Sequence, residues 1–120
     1  MEIGIEGATL HVSLEGLEKV WALKRGLDIP LEHIVKVSTR EPDSMWYDLR
    51  LPGTYLPGVI RAGSYYAKRG GAWTWEFWYY TRGKEFLTID LRDERYGRVI
   101  LGVDDAVAQA SLIGSALSGN

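Results

Sequence analysis

Apolar and polar residues alternate at the start of the chain. Ile3-Gly4-Ile5, then Leu10, Val12 and Leu14 interleaved with His11, Ser13 and Glu15, follow the two-residue period of half-buried strands, and Glu6-Gly7 supplies the turn between them. The period then changes. From Gly16 to Lys24, Leu17, Val20 and Trp21 fall at i, i+3 and i+4, and Lys24 and Arg25 precede Gly26, the residue order of a short helix and its C-terminus. Leu27-Asp28-Ile29 is extended, because the residue before Pro30 is pushed out of the helical region. Ile34 to Thr39, carrying Val35 and Val37, is a further strand that Pro42 ends.

Two Leu-Pro-Gly triplets between Leu51 and Gly58 favour turns and predict an irregular loop there. Beyond it, Val59–Lys68, Ala72–Thr81, Phe86–Arg92 and Arg98–Val103 read as four strands. They are joined by Gly70-Gly71, by Arg82-Gly83-Lys84 and by the segment 93–97, links so short that an antiparallel meander is expected. Asp104-Asp105 then open a helix whose Ala106, Ala110, Ile113 and Leu117 share one face, with the two carboxylates at the positive end of its dipole. Its small residues Ala106, Ala110 and Gly114 permit close approach to a sheet, and the helix is expected to plug one end of a barrel.

Register turns these strands into faces. If Ala72–Thr81 pairs directly with Phe86–Arg92 across an even loop, Trp78 and Tyr80 accompany Leu87, Ile89 and Leu91 into the core. Trp73, Trp75, Phe77 and Tyr79 then form an outward row beside Thr88, Asp90 and Arg92. An odd loop or a bulge would instead make Trp73, Trp75 and Phe77 ordinary core. The hairpin through Gly70-Gly71 sets Trp78 opposite Gly63, where an indole can cover a residue without a side chain.

Composition narrows the class. The 120 residues are 46% hydrophobic and 25% charged, enough apolar surface for one ordinary core and too much for a disordered chain. No apolar run is long enough to span a bilayer. Fourteen Lys and Arg against sixteen Asp and Glu leave a net charge of −2 and argue against bulk nucleic-acid binding. One stretch is biased: residues 49–75 hold no acid, yet carry Arg50, Arg61, Lys68 and Arg69 among Tyr55, Tyr65, Tyr66, Trp73 and Trp75. Such a surface suits a protein partner, an anionic group or a single strand, while a solvated hairpin whose bases meet acids from elsewhere is the plainer account. Without cysteine there are no disulfides, thiolate metal sites or cysteine nucleophile. The opening residues lack the cationic and apolar regions of a signal peptide, so a cytoplasmic location is expected.

Candidates for chemistry are few. His11 and His33 lack convergent co-ligands, and the spacing of Asp90, Asp93, Glu94, Asp104 and Asp105 fits no calcium loop, so neither a metal nor a cofactor is expected. Glu76 is an inward acid beside Tyr65 and near Arg61. A buried acid of this kind suits catalysis, but with no second acid in view an Arg61–Glu76 pair is the simpler role. No Gly-x-Ser-x-Gly elbow, phosphate loop or dinucleotide fingerprint is present.

The strand series, with Gly63-Ser-Tyr-Tyr, the Gly70-Gly71 turn, Phe77-Trp78, Phe86-Leu-Thr-Ile-Asp-Leu91 and the Asp104-Asp105 helix start, resembles bacterial pleckstrin-homology-like domains over roughly residues 8–117. The resemblance implies a mainly β fold: a bent antiparallel barrel or sandwich of about seven strands, capped by the C-terminal helix and serving assembly or recognition. The chain departs from that pattern in its early helix and in the Asp-Asp-Ala-Val start of its last helix. Glu2, Glu6 and Glu15 stand where the phosphoinositide-binding members cluster bases, so lipid binding is not implied.

A single non-catalytic binding domain over residues 1–120 is the resulting expectation. Its contact row is Trp73, Trp75, Phe77 and Tyr79, its cationic edge is Arg61, Lys68 and Arg69, and its partner is another protein or a second copy related by a two-fold axis. The alternative is a small-molecule carrier, a barrel open at one end with Tyr65, Glu76, Trp78 and Tyr80 lining the pocket.

Overall fold

A computed structural model describes residues 1–15, 26–40, 47–50, 54–56, 60–69 and 71–118, with side chains described at 1–15, 26–40, 61–66 and 71–118. The helix expected over Gly16–Lys24 lies outside these residues.

Three strands, β1 (Glu2–Glu6), β2 (Thr9–Ser13) and β3 (Gly26–Pro30), form an antiparallel sheet in chain order. Its alternation is the one read from the sequence: Leu10, Val12 and Ile29 are buried, while Glu2, Glu6 and Asp28 are exposed. A 3₁₀ turn, Leu31–His33, leads into β4 (Ile34–Ser38), and Arg92 clamps it by donating to the Glu32 carbonyl from both Nε and Nη2.

The large sheet contains β4, β5 (Tyr47–Arg50), β6 (Thr54–Leu56), β7 (Ile60–Arg69), β8 (Ala72–Thr81), β9 (Glu85–Leu91) and β10 (Tyr96–Val103). Its order is β4-β9-β10-β8-β7-β5, with β6 also paired to β7. The loop expected at 51–58 therefore contains a short strand, because Thr54, Tyr55 and Leu56 find partners in Ala62, Arg61 and Ile60.

The meander is broken at its centre. β8 and β9 are joined by three residues, yet β10 lies between them, antiparallel to β9 and parallel to β8. Two strand spacings are roughly 10 Å, which the four Cα steps from Thr81 to Glu85 can span. Once β9 stands one place away, β10 folds back beside it and must run with β8. Its sequence suits the slot, for Val99-Ile100-Leu101-Gly102-Val103 is an unbroken buried run, the signature of a strand covered on both faces.

This insertion inverts the parity argued from a direct β8–β9 hairpin. Phe77 lines up with Val99 and Ile89, and Tyr79 with Leu101 and Leu87, so odd positions of β8 enter the core. Trp78 lines up with Ile100 and Thr88 on the opposite face. The expectation that Trp78 and Tyr80 join Leu87 and Ile89 is thus corrected, and so is the all-antiparallel sheet.

The main core lies between the two sheets and beneath helix α1 (Ala106–Ser118). Leu10, Val12 and Ile29 from the small sheet meet Phe77, Leu87, Ile89, Val99 and Leu101 from the large one, with Ala106 and Ile113 from α1. Ala110 and Leu117 pack against the same cluster, as the helical period predicts. The barrel does not close, and α1 lies against β9, β4, β1 and the 3₁₀ turn instead of plugging an end. Asp105 caps it, accepting from the Ala108 N–H at 3.0 Å, and Glu85 Oε1 accepts from the Ala106 N–H at 2.9 Å. Asp104 turns away to Lys84, whose ammonium hydrogen-bonds and attracts its carboxylate and holds the carboxyl below its ordinary 3.8. No helix among the described residues is long and apolar enough to cross a membrane.

Candidate binding surface

The expected contact row divides along β8. Phe77 is 0% exposed and Tyr79 is buried, so both are core and cannot touch a partner, a consequence of the β10 insertion. Trp75 is half-buried against that core, and Trp73 is 44% exposed. Farther from the core the aromatics leave the protein interior, because β7 and β8 are each ten residues long and extend past the layer that covers their middle.

At the outer end the cross-strand neighbour Tyr66 organises the surface. Its ring stacks on Trp73 with centroids 5.4 Å apart and an interplanar angle of 17°, and it meets Trp75 at 5.1 Å and 48°. Lys68 stands opposite Trp73 in the register and Arg69 opposite Ala72. Tyr66 was not among the expected site residues, although counting back from the Gly70-Gly71 turn places it opposite Trp75.

Arg61 is on the other face. Its guanidinium lies 4.7 Å from the Trp78 ring centroid and 5.6 Å from that of Tyr65, while Tyr65 and Trp78 meet edge to face at 6.4 Å. The cationic edge expected from Arg61, Lys68 and Arg69 is therefore not one group. The residues of the alternative pocket do come together. Tyr65, Glu76, Trp78 and Tyr80 share this outer face with Arg61, Phe86 and Ile100. Glu76 is 0% exposed and accepts from Trp78 Nε1 at 3.1 Å. Beside it, cross-strand partners of alternating charge continue through Arg98, Asp90 and Lys36, and Arg98 Nε donates to Asp90 Oδ1 at 2.6 Å.

Two glycines make room for this cluster. Gly63 faces Trp78 as expected, and its φ of 129° lies in the region that favours glycine. Gly102 lies under the stacked rings of Tyr80 and Phe86, whose centroids are 4.2 Å apart, and a Cβ there would sit 2.9 Å from Tyr80 Cδ2. Tyr80 Oη donates to the Lys84 carbonyl at 2.8 Å, fixing the ring.

Both histidines are engaged by carboxylates, His33 by two, with its Nε2 3.9 Å from Glu32 Oε1. His11 Nδ1 is 2.6 Å from Asp28 Oδ1, and His33 Nδ1 is 2.5 Å from Glu94 Oε2. No group of three or more His, Asp or Glu among the described residues is placed to hold a metal ion. No family model, curated protein or solved structure matches the chain.

Proposed function

We propose that this chain is a non-catalytic binding module that works by protein contact through the outer end of the β7–β8 hairpin. One observation carries the reading: Trp73, 44% exposed, is held flat against Tyr66 at 5.4 Å. A large apolar ring costs solvation free energy at the surface, and a pre-stacked pair loses little further side-chain entropy when a partner covers it. Aromatic residues so placed supply much of the affinity in protein interfaces. The pleckstrin-homology-like resemblance implies a role of the same kind, recognition or assembly.

Light scattering after size exclusion, over about 1–200 μM, tests the reading on the chain itself, a range matched to a micromolar contact. The wild-type mass is expected to rise with concentration, and Trp73→Ser is expected to remain a monomer with an unchanged melting temperature. A wild-type chain that stays monomeric throughout overturns it.

A small-molecule carrier is the second reading, supported by the assembly of Tyr65, Glu76, Trp78 and Tyr80 on one face. Thr88 lies on that face as well, buried, with a hydroxyl that has no hydrogen-bond partner. An apolar anionic dye such as anilinonaphthalene sulfonate should then quench Trp78 and raise the melting temperature. No change in either removes this reading.

A further inference from the structure

The near-neutral net charge conceals two stretches of opposite sign. The three strands of the small sheet contain Glu2, Glu6 and Asp28 and no Lys or Arg. Residues 49–75 contain no acid, and the hairpin end of β7 carries Lys68 and Arg69; Arg61 is at the far end of β7, over Trp78.

Shape follows the same division. The outer face of β1 and β2 holds a recess of about 350 Å³ lined by Glu2, Ile3, Gly4, Ile5, Glu6, His11 and Ser13. Gly4 stands opposite His11, and nothing lies within 4 Å of where its Cβ would be, so the middle of the recess is open between the two carboxylates. On the hairpin, Trp73 projects beside the register positions of Lys68 and Arg69.

We infer that copies of this chain associate head to tail, the β7–β8 hairpin end of one docking in the Glu2–Gly4–Glu6 recess of the next. The contact rests on the hairpin reading above and adds its partner. The two surfaces share no residue, so the contact is heterologous, unlike the two-fold pairing of identical strands expected from the sequence. Trp73 supplies the buried ring, and the register positions of Lys68 and Arg69 bring positive charge to the end that meets Glu2 and Glu6. Complementary charge of this kind sets orientation and speeds encounter more than it deepens affinity.

Two variants test it, each altering one surface at exposed positions: Trp73→Ser, and the double charge reversal Glu2→Lys with Glu6→Lys. Each alone is expected to self-associate about tenfold or more weakly than the wild type, as loss of an interface anchor or reversal of facing charges does. Sedimentation velocity of an equimolar mixture should restore association as one-to-one pairs, because the charge-reversed copy keeps its hairpin and the Trp73→Ser copy keeps its recess. Raising salt from about 0.05 M to about 0.5 M should weaken the wild-type association, since the facing charges become screened. A mixture that stays monomeric overturns the head-to-tail contact. So does a charge-reversed chain that still self-associates like the wild type, which would leave the hairpin reading intact with a different partner surface.

Discussion

Both faces of β8 carry aromatic residues in the middle of the sheet and bury them by different means. On one, Phe77 and Tyr79 sit in a mostly apolar layer between the sheets with Val99, Leu101, Leu87 and Ile89. On the other, Trp78 and Tyr80 surround polar groups, with Glu76 on the indole N–H, Arg61 over the rings and Gly63 and Gly102 beneath them. The first face resists water chiefly by filling its volume. The second depends on each buried polar group finding a partner, because an unpaired one costs far more than a paired one contributes. Aromatic content therefore says nothing about which face of a strand is core; the strand beside it decides.

Substitutions on the two faces should differ in size and mechanism. Phe77→Ala empties a fully buried site at the centre of the main core and should lower stability by about 3–5 kcal/mol in urea unfolding. A loss below that range would mean the odd face is not the principal core. Gly102→Ala places a methyl against Tyr80 and Lys84, and the overpacking should cost about 1–3 kcal/mol. If it is neutral, the Tyr80–Phe86 stack is looser than its 4.2 Å spacing requires. Trp78→Phe keeps most of the ring but removes an N–H that Glu76 accepts, and should cost about 1–3 kcal/mol through the lost buried hydrogen bond. Smallest, Trp73→Ser should change stability by no more than about 0.5 kcal/mol, as for other surface positions. A larger loss would place Trp73 with Phe77 and not with the exposed end of its row.

Much of the local structure is legible in the residues. The alternation of Leu10, Val12 and Leu14, the Gly63–Trp78 pairing and the Asp105 cap follow from period, turn length and side-chain chemistry, all of which act over a few residues. The exposed site is legible only in part. Trp73 ends outside the core and Trp75 half-buried at its edge, but Phe77 and Tyr79 lie inside it, because the expected row assumed that β8 and β9 pair. One signal argued otherwise: Val99-Ile100-Leu101-Gly102-Val103 does not alternate, so it belongs in the middle of a sheet.

Periodicity and turn chemistry by themselves determined that the chain is mainly β with a C-terminal amphipathic helix, and which residues of each strand share a side. Only the tertiary structure decided which of those sides is the interior. That choice depends on strand neighbours distant in sequence, and placing one strand between two others exchanges the inner and outer faces without altering any local preference.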